Sequence, residues 1–240
     1  MSGAVVIMTC DLYSPFWAGM YHYMRLHWDA AIDWPIYFCT EEMAPPDQSF
    51  HHLAVGKGPF HERHIRILKA LEKYDHIFFM LEEYWPIKLM TKEMFDGLYG
   101  MFVKNNWDCL HIDSVRPDIY KLKPTEHTFL DRRIWQFQND SDWFFNQQAA
   151  FWKRDLMLKC VVPPTISEVE ARSSITVELT CDAYMRQKYP DSKVMLYHYY
   201  WYPRGGVVNH GNISEYGREL GFQMNIDNWC KANEKPQLLG

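Results

Sequence analysis

His76-Ile77-Phe78-Phe79-Met80-Leu81-Glu82-Glu83-Tyr84-Trp85 is the stretch that decides the fold. A short apolar run bounded by polar residues predicts a buried strand. In open α/β sheets, ligands collect outside the carboxyl ends of such strands. Glu82 and Glu83 fall at that point, and packing explains them poorly, because Glu is rarely buried without a partner. As oxygen donors they suit a divalent cation, and through it a diphosphate. The plainer reading is a pair of solvated acids, or acids beside the dipole of the next helix.

Working outward, Val5 to Thr9 reads as a first strand, followed by a polar turn and a helix from about Phe16 to Trp28. Pro35 to Cys39 is a second strand, and Glu41 to Phe60, with its prolines, glycines and adjacent histidines, reads as a loop. Ile65, Leu68 and Leu71 fall at helical spacing within a helix from about Glu62 to Lys73. Beyond the acidic pair, Met94, Leu98 and Met101 mark a helix from about Met90 to Val103, and Asp108 to Ile112 is a fourth strand. This alternation of strand and helix predicts a parallel α/β sheet. The pattern then changes: short antiparallel strands from Phe129 to Phe151, a short helix from Trp152 to Cys160, a helix-rich stretch from Glu168 to Tyr189, and a strand from Val194 to Tyr200. No linker or internal repeat divides the chain. One domain is expected over 1–240, with a nucleotide-binding half over about 1–115 and an irregular half over about 116–240 that completes a pocket.

The chain has 240 residues, ample for a sizeable core, and its net charge of -5 offers no global field for nucleic acid or an anionic membrane. Its longest basic stretch is Asp131-Arg132-Arg133. The 6 cysteines are scattered without a Cys-x-x-Cys, which suits reduced thiols rather than a zinc ribbon. The N-terminus lacks a basic n-region, and no apolar stretch has transmembrane length. A cytoplasmic protein without an integral membrane segment or a nucleic-acid partner is therefore expected. Aromatics make up 16%, which suits stacking on sugars or bases, although most such rings belong to cores.

Several residues carry possible chemistry. Thr9 and Asp11 leave the first strand, where a carboxylate can accept from a base or ribose; the plainer reading is that Asp11 or Ser14 caps the following helix. His61-Glu62-Arg63-His64 misses the metalloprotease spacing by one residue, and its histidines are expected at the surface or in a loop. Gln147, Gln148 and Trp152 combine amides with a flat ring, as a polyhydroxylated ligand requires, or else form a polar loop and a core Trp. Glu178 lies in the largely apolar stretch Ile175-Thr176-Val177-Glu178-Leu179. Desolvation there would raise its pKa as a general base needs, unless it sits on an exposed helix face. Arg204 to Asn212 is a glycine-rich stretch carrying donors, without Rossmann or P-loop spacing.

Taken in order, these elements resemble the small GT-A-fold nucleotide-sugar glycosyltransferases of bacterial surface-polysaccharide loci and of large DNA viruses of algae. The resemblance is carried by Thr9-Cys10-Asp11-Leu12-Tyr13-Ser14 with Trp17, by Arg66 with Ala70-Leu71, and by Leu81-Glu82-Glu83-Tyr84-Trp85. It continues through Gln148, Trp152 and Asp155-Leu156, then Ser173 to Leu179, then Val207 to Asn212. The chain departs from that pattern where Glu83 replaces the usual Asp and where His210 and Asn212 replace the closing lysines. The resemblance implies a GT-A-like fold, a Rossmann-like half with a mixed sheet, and transfer of a sugar from a nucleotide sugar to a glycan or glycoconjugate acceptor. It further implies Asp11, with Thr9 beside it, on the nucleoside; Arg66 on ribose or diphosphate; and His210 near the phosphates. Mn²⁺ or Mg²⁺ would sit at Glu82 and Glu83, Gln148 and Trp152 would line the sugar site, and Glu178 would be the base of an inverting displacement.

Overall fold

The computed structural model describes residues 3–45, 47–113, 117, 120–162, 174–202, 206, 208–209 and 212–219. Strand β1 (Gly3–Met8) pairs in parallel with β2 (Ile36–Thr40) on one side and with β4 (His76–Leu81) on the other. All six residues of β1 and the last five of β4 are buried, as expected of parallel strands covered on both faces. On β4, successive side chains point to opposite faces. Phe78 meets Trp28, Phe95 and Trp201 on one side. Phe79 stacks on His64 on the other, with centroids 4.6 Å apart. The first face is covered by the end of α1 (Ser14–His27) and by α3 (Lys92–Lys104), and the second by α2 (Phe60–Ala70). Thr91 caps α3 by accepting from the Met94 N–H at 3.1 Å, which satisfies one of the helix's free donors.

The full sheet has nine strands in the order β3-β2-β1-β4-β8-β5-β9-β7-β6. Here β3 is His51–Ala54, β5 Cys109–Asp113, β6 Lys123–Phe129, β7 Arg132–Gln136, β8 Ala150–Lys153 and β9 Val194–His198. Helices α4 (Arg154–Cys160) and α5 (Ser174–Lys188) pack with α2. The expected strands and helices of the first half are present, and the sheet is mixed. Two details differ from the sequence reading. The stretch read as a loop contains β3, whose residues are largely exposed at the sheet edge and so lack an apolar run; it pairs with β2 in parallel. The fourth strand of the alternation, β5, does not lie beside β4. Strand β8, whose first two residues fall in the stretch expected as short antiparallel strands and whose last two were read as the start of a helix, is inserted between them and runs antiparallel to both.

Five described cysteines (Cys10, Cys39, Cys109, Cys160, Cys181) are free. Among the described residues no helix is long and apolar enough to cross a membrane. Phe78→Ala is expected to cost about 3–5 kcal/mol in urea unfolding, because the ring fills the junction of four aromatics. Leu26→Ala, at an exposed position of α1, is expected to stay within about 0.5 kcal/mol of the parent in the same measurement.

Candidate active site at the carboxyl edge of the sheet

Strands β1, β4 and β5 end side by side or one strand apart, at Met8, Leu81 and Asp113. The Glu82 N–H continues the ladder by donating to the Met8 carbonyl at 3.2 Å. This holds the acidic pair against the exit of β1. Glu82 is only 3% exposed, and its Oε1 has no hydrogen-bond partner among the described residues. Burial raises its pKa to about 8, against the pull of the Thr9 hydroxyl and the Arg63 charge. Burial, then the charges of Glu82 and Glu178, push the Glu83 carboxyl well above the usual range. Burial, then the Glu82 charge, drives the Cys10 thiol up to about 12.

Glu178 comes to this edge by a clamp. Glu178 and Asp182 stand four apart on α5 and therefore share one face of the helix. The Gln147 N–H donates to Glu178 Oε1 at 2.7 Å, and the Phe145 N–H donates to Asp182 Oδ1 at 2.7 Å. Arg186 then pairs with Asp182 at 2.7 Å. Two backbone donors just before β8 thus fix the helix against the sheet. Burial raises Glu178 to about 7, and the Gln147 N–H holds it from rising further. This answers the alternative of an exposed helix position: Glu178 is partly buried and charge-coupled to Glu83.

Asp113 ends β5 fully buried, and its Oδ2 accepts from the Tyr120 hydroxyl at 3.2 Å. The Gln148 amide, with its nitrogen turned toward Asp113, donates to both carboxylate oxygens, one at 3.0 Å, and meets the Tyr202 hydroxyl. Tyr202 in turn packs on Tyr84 at 4.9 Å. The sequence reading stopped that strand at Ile112 and passed over Asp113. The signal was there, an acid closing a run of apolar residues, identical in kind to the one noticed at Glu82.

Thr9 also reaches this edge, at the exit of β1 beside Glu82, whereas the other residues from the sequence reading are engaged with partners of their own. Asp11 neither caps its own helix nor stands free: its carboxylate accepts the backbone N–H groups of Glu41, Glu42 and Met43, while Glu41 accepts the Asp11 N–H at 3.0 Å. It ties the exit of β1 to the exit of β2. Thr9 accepts from the Trp17 indole at 2.9 Å. Arg66 is turned to the chain before α2, donating to the carbonyls of Val55, Gly56 and Lys57 and pairing with Glu62 at 2.8 Å. The arginine brought to the acids is Arg63, one turn earlier and buried. It donates to the Thr9 carbonyl at 2.8 Å and to Gly58 at 3.2 Å. His61 and His64, expected at the surface or in a loop, are buried on α2, where His64 stacks on Phe79 of β4.

Trp152 is not brought to this edge. It sits within β8 opposite Ile77, five residues before Glu82 and so about 16 Å from the acids along the strand, wholly buried against Phe145 and His111. A strand flanked on both sides turns its Trp into the core. His210 lies outside the described residues; its neighbours Val208–Asn209 (β10) and Asn212–Ile213 (β11) pair antiparallel.

Among the described residues, no group of three or more His, Cys, Asp and Glu side chains is placed to hold a metal by itself. Glu82 and Glu83 fit a narrower role. One or two carboxylates suffice for a Mg²⁺-type ion whose other ligands are water and substrate phosphates, and the orphaned Glu82 Oε1 is a donor of the right type.

No protein-family model matches the chain, and no curated protein matches it in sequence. Solved structures do match. S. aureus TarS 1-349 superposes with a TM-score of 0.50 at 13% identity, and its complex with UDP with 0.51 at 12%. Each match covers 84% of this chain and 59% of TarS 1-349. Mannosyl-3-phosphoglycerate synthase from Rubrobacter xylanophilus matches over 100% of this chain and 77% of its own, at 9% identity and a TM-score of 0.45. The chain thus spans about three fifths of the TarS structures it matches. Its fold is α/β and GT-A-like.

Two outcomes test this geometry. Glu82 binds more protons folded than unfolded between its ordinary pKa of 4.5 and about 8, so the native state loses stability as pH rises through that window. Relative to the parent, Glu82→Gln should therefore gain up to about 1.4 kcal/mol per pH unit between pH 5 and 8, read by urea unfolding at each pH. Burial lowers His64 and His111 to about 3, which acts with the opposite sign as pH falls below 6.5. Arg63→Met should destabilise by about 2–3 kcal/mol, since it removes the buried guanidinium that pairs with the half-buried Glu41 at 3.6 Å and leaves the Thr9 carbonyl without its donor, and Arg66→Met by clearly less.

Proposed function

We propose that this chain is a glycosyltransferase that moves a sugar from a nucleoside-diphosphate sugar to a hydroxyl of a glycan or glycoconjugate acceptor. The observation that carries the reading is the meeting of Glu82, Glu83 and Glu178 at the carboxyl edge of a GT-A-like sheet, with Glu178 set near neutrality. A carboxylate of pKa about 7 is half ionised at physiological pH and can take a proton from an attacking hydroxyl. Gln148, half-buried beside Asp113 and Tyr202, is the amide that would engage a sugar hydroxyl. Asp113 keeps Gln148 in place.

Glu83, with Glu82 behind it, would hold Mn²⁺ or Mg²⁺, which when bound stabilises the departing nucleoside diphosphate as a Lewis acid. The acceptor hydroxyl attacks the anomeric carbon from the side of Glu178, which removes its proton, and the configuration inverts. The solved UDP complex of TarS makes UDP the first nucleotide to test here. Free cysteines and the absence of a spanning helix among the described residues fit a cytoplasmic enzyme drawing on soluble donors.

Titration calorimetry with UDP and GDP, each with and without Mn²⁺, tests the donor and the cation together. UDP is expected to bind more tightly with Mn²⁺. That gain should grow from pH 6 to pH 8, because the raised carboxyls must release protons to ligate. A carbohydrate-binding module would ignore both nucleotide and metal, and that outcome sinks the proposal. In transfer assays with a UDP-sugar, Glu178→Gln should lower kcat by about 10²–10⁴ while nucleotide affinity holds. Full activity in that variant would remove Glu178 from the role of base.

A further inference from the structure

Although the chain is acidic overall, one face of it is not. Strands β6 and β7 are joined by a two-residue turn, Leu130-Asp131, closed by the Phe129–Arg132 pair. Both turn residues have positive φ, 45° at Leu130 and 59° at Asp131. Turns of this kind normally take Asn or Gly, because a bulky side chain is strained in the left-handed region. Leu130 accepts that strain and gains nothing from burial, since it is 64% exposed. An apolar side chain held out to solvent at a cost to the fold points to a role outside the fold.

The surroundings identify what the leucine meets. The Arg132 guanidinium donates to the His198 carbonyl at 3.2 Å and lies 5.8 Å from the Tyr199 ring centroid. The Lys88 ammonium lies 5.8 Å from the same ring and 5.5 Å from that of Tyr200. Two cations thus converge on one tyrosine, and among the described residues neither has a carboxylate partner. Arg133, also exposed, follows Arg132 at the tip, against the single acid Asp131. Next to Lys88 stands Leu89, 48% exposed, whose carbonyl accepts from the Tyr199 hydroxyl at 3.2 Å. Exposed leucines, half-exposed tyrosines and basic groups without a carboxylate partner among the described residues, together on one face, form the combination that sits at an anionic lipid interface. There aromatics occupy the headgroup level and Lys and Arg meet the phosphates. A soluble anionic ligand would use the cations but give the strained leucine nothing.

We propose that this face, Leu130 and Arg132 with Lys88, Leu89, Tyr199 and Tyr200, docks the protein on an anionic lipid surface. The Tyr199 N–H donates to the Asp113 carbonyl at 2.9 Å, so the docking face borders the carboxyl edge of the sheet. The inference stands apart from the transferase reading, and its failure leaves that reading intact.

Co-sedimentation of the full chain with vesicles tests it. Binding is expected to vesicles of phosphatidylcholine mixed with phosphatidylglycerol, not to phosphatidylcholine alone, and is expected to weaken with salt. Lys88→Gln and Arg132→Gln should each lower that binding about fivefold. Leu130→Asn is the decisive variant. It should lower vesicle binding several-fold while melting no lower than the parent, because Asn tolerates the left-handed backbone. Equal sedimentation with both vesicle types, or anionic binding untouched by Leu130→Asn, overturns the proposal. So does retention of a soluble phosphorylated dextran as tightly as vesicles with no loss in Leu130→Asn, since the face would then read phosphate rather than a lipid surface.

Discussion

Strand β8 runs against both of its neighbours, and the carboxyl edge of the sheet depends on that reversal. A strand antiparallel to β4 and β5 begins where they end. The residues that lead into it, Asn146 to Ala149, are therefore delivered to the edge where Glu82 and Asp113 emerge. The Ile112 N–H fixes them there by donating to the Ala149 carbonyl at 2.8 Å. From that position the Gln147 N–H reaches Glu178, and the Gln148 side chain reaches Asp113. A parallel strand in the same place would start at the opposite edge and bring neither contact.

The second constraint is electrostatic. Four carboxylates share this edge, and each is treated differently by its surroundings. Asp113 is saturated by donors from Tyr120 and Gln148, and Glu178 receives one backbone N–H. Glu82 faces Arg63 but keeps an unpaired oxygen, and Glu83 feels two like charges. Desolvation raises the pKa of the less satisfied acids, so near neutral pH the edge holds protons that a cation can displace. The same arrangement opposes folding as pH rises. A site that strains the native state in this way is a common companion of function.

Much of the candidate site could be read along the chain because it depends on local pattern. The acids of Glu82-Glu83 are announced by the apolar strand before them, and Glu178 by the apolar residues around it. Where two neighbours of the same type competed, the chain offered no basis for choosing. Arg63 and Arg66 stand three residues apart on α2; only the helix's packing against β1 turns the first inward and leaves the second to organise the turn before the helix. Trp152 illustrates the opposite error. Amides and a ring close together look like a sugar site, but strand alternation and a central position send the ring into the core while Gln148, four residues earlier, stays at the edge.

The sequence by itself determined that this is an α/β chain with a parallel first half, that acids close its central strand, and that a carboxylate on a later helix sits among apolar residues. These follow from periodicity and burial preference, which act over a few residues. Tertiary structure alone decided that β8 separates β4 from β5, that Asp113 joins the site, and that Arg63 rather than Arg66 faces the acids. Strand direction, register and helix phase are set by pairings between residues tens of positions apart. Such pairings leave no mark in any short stretch of the chain.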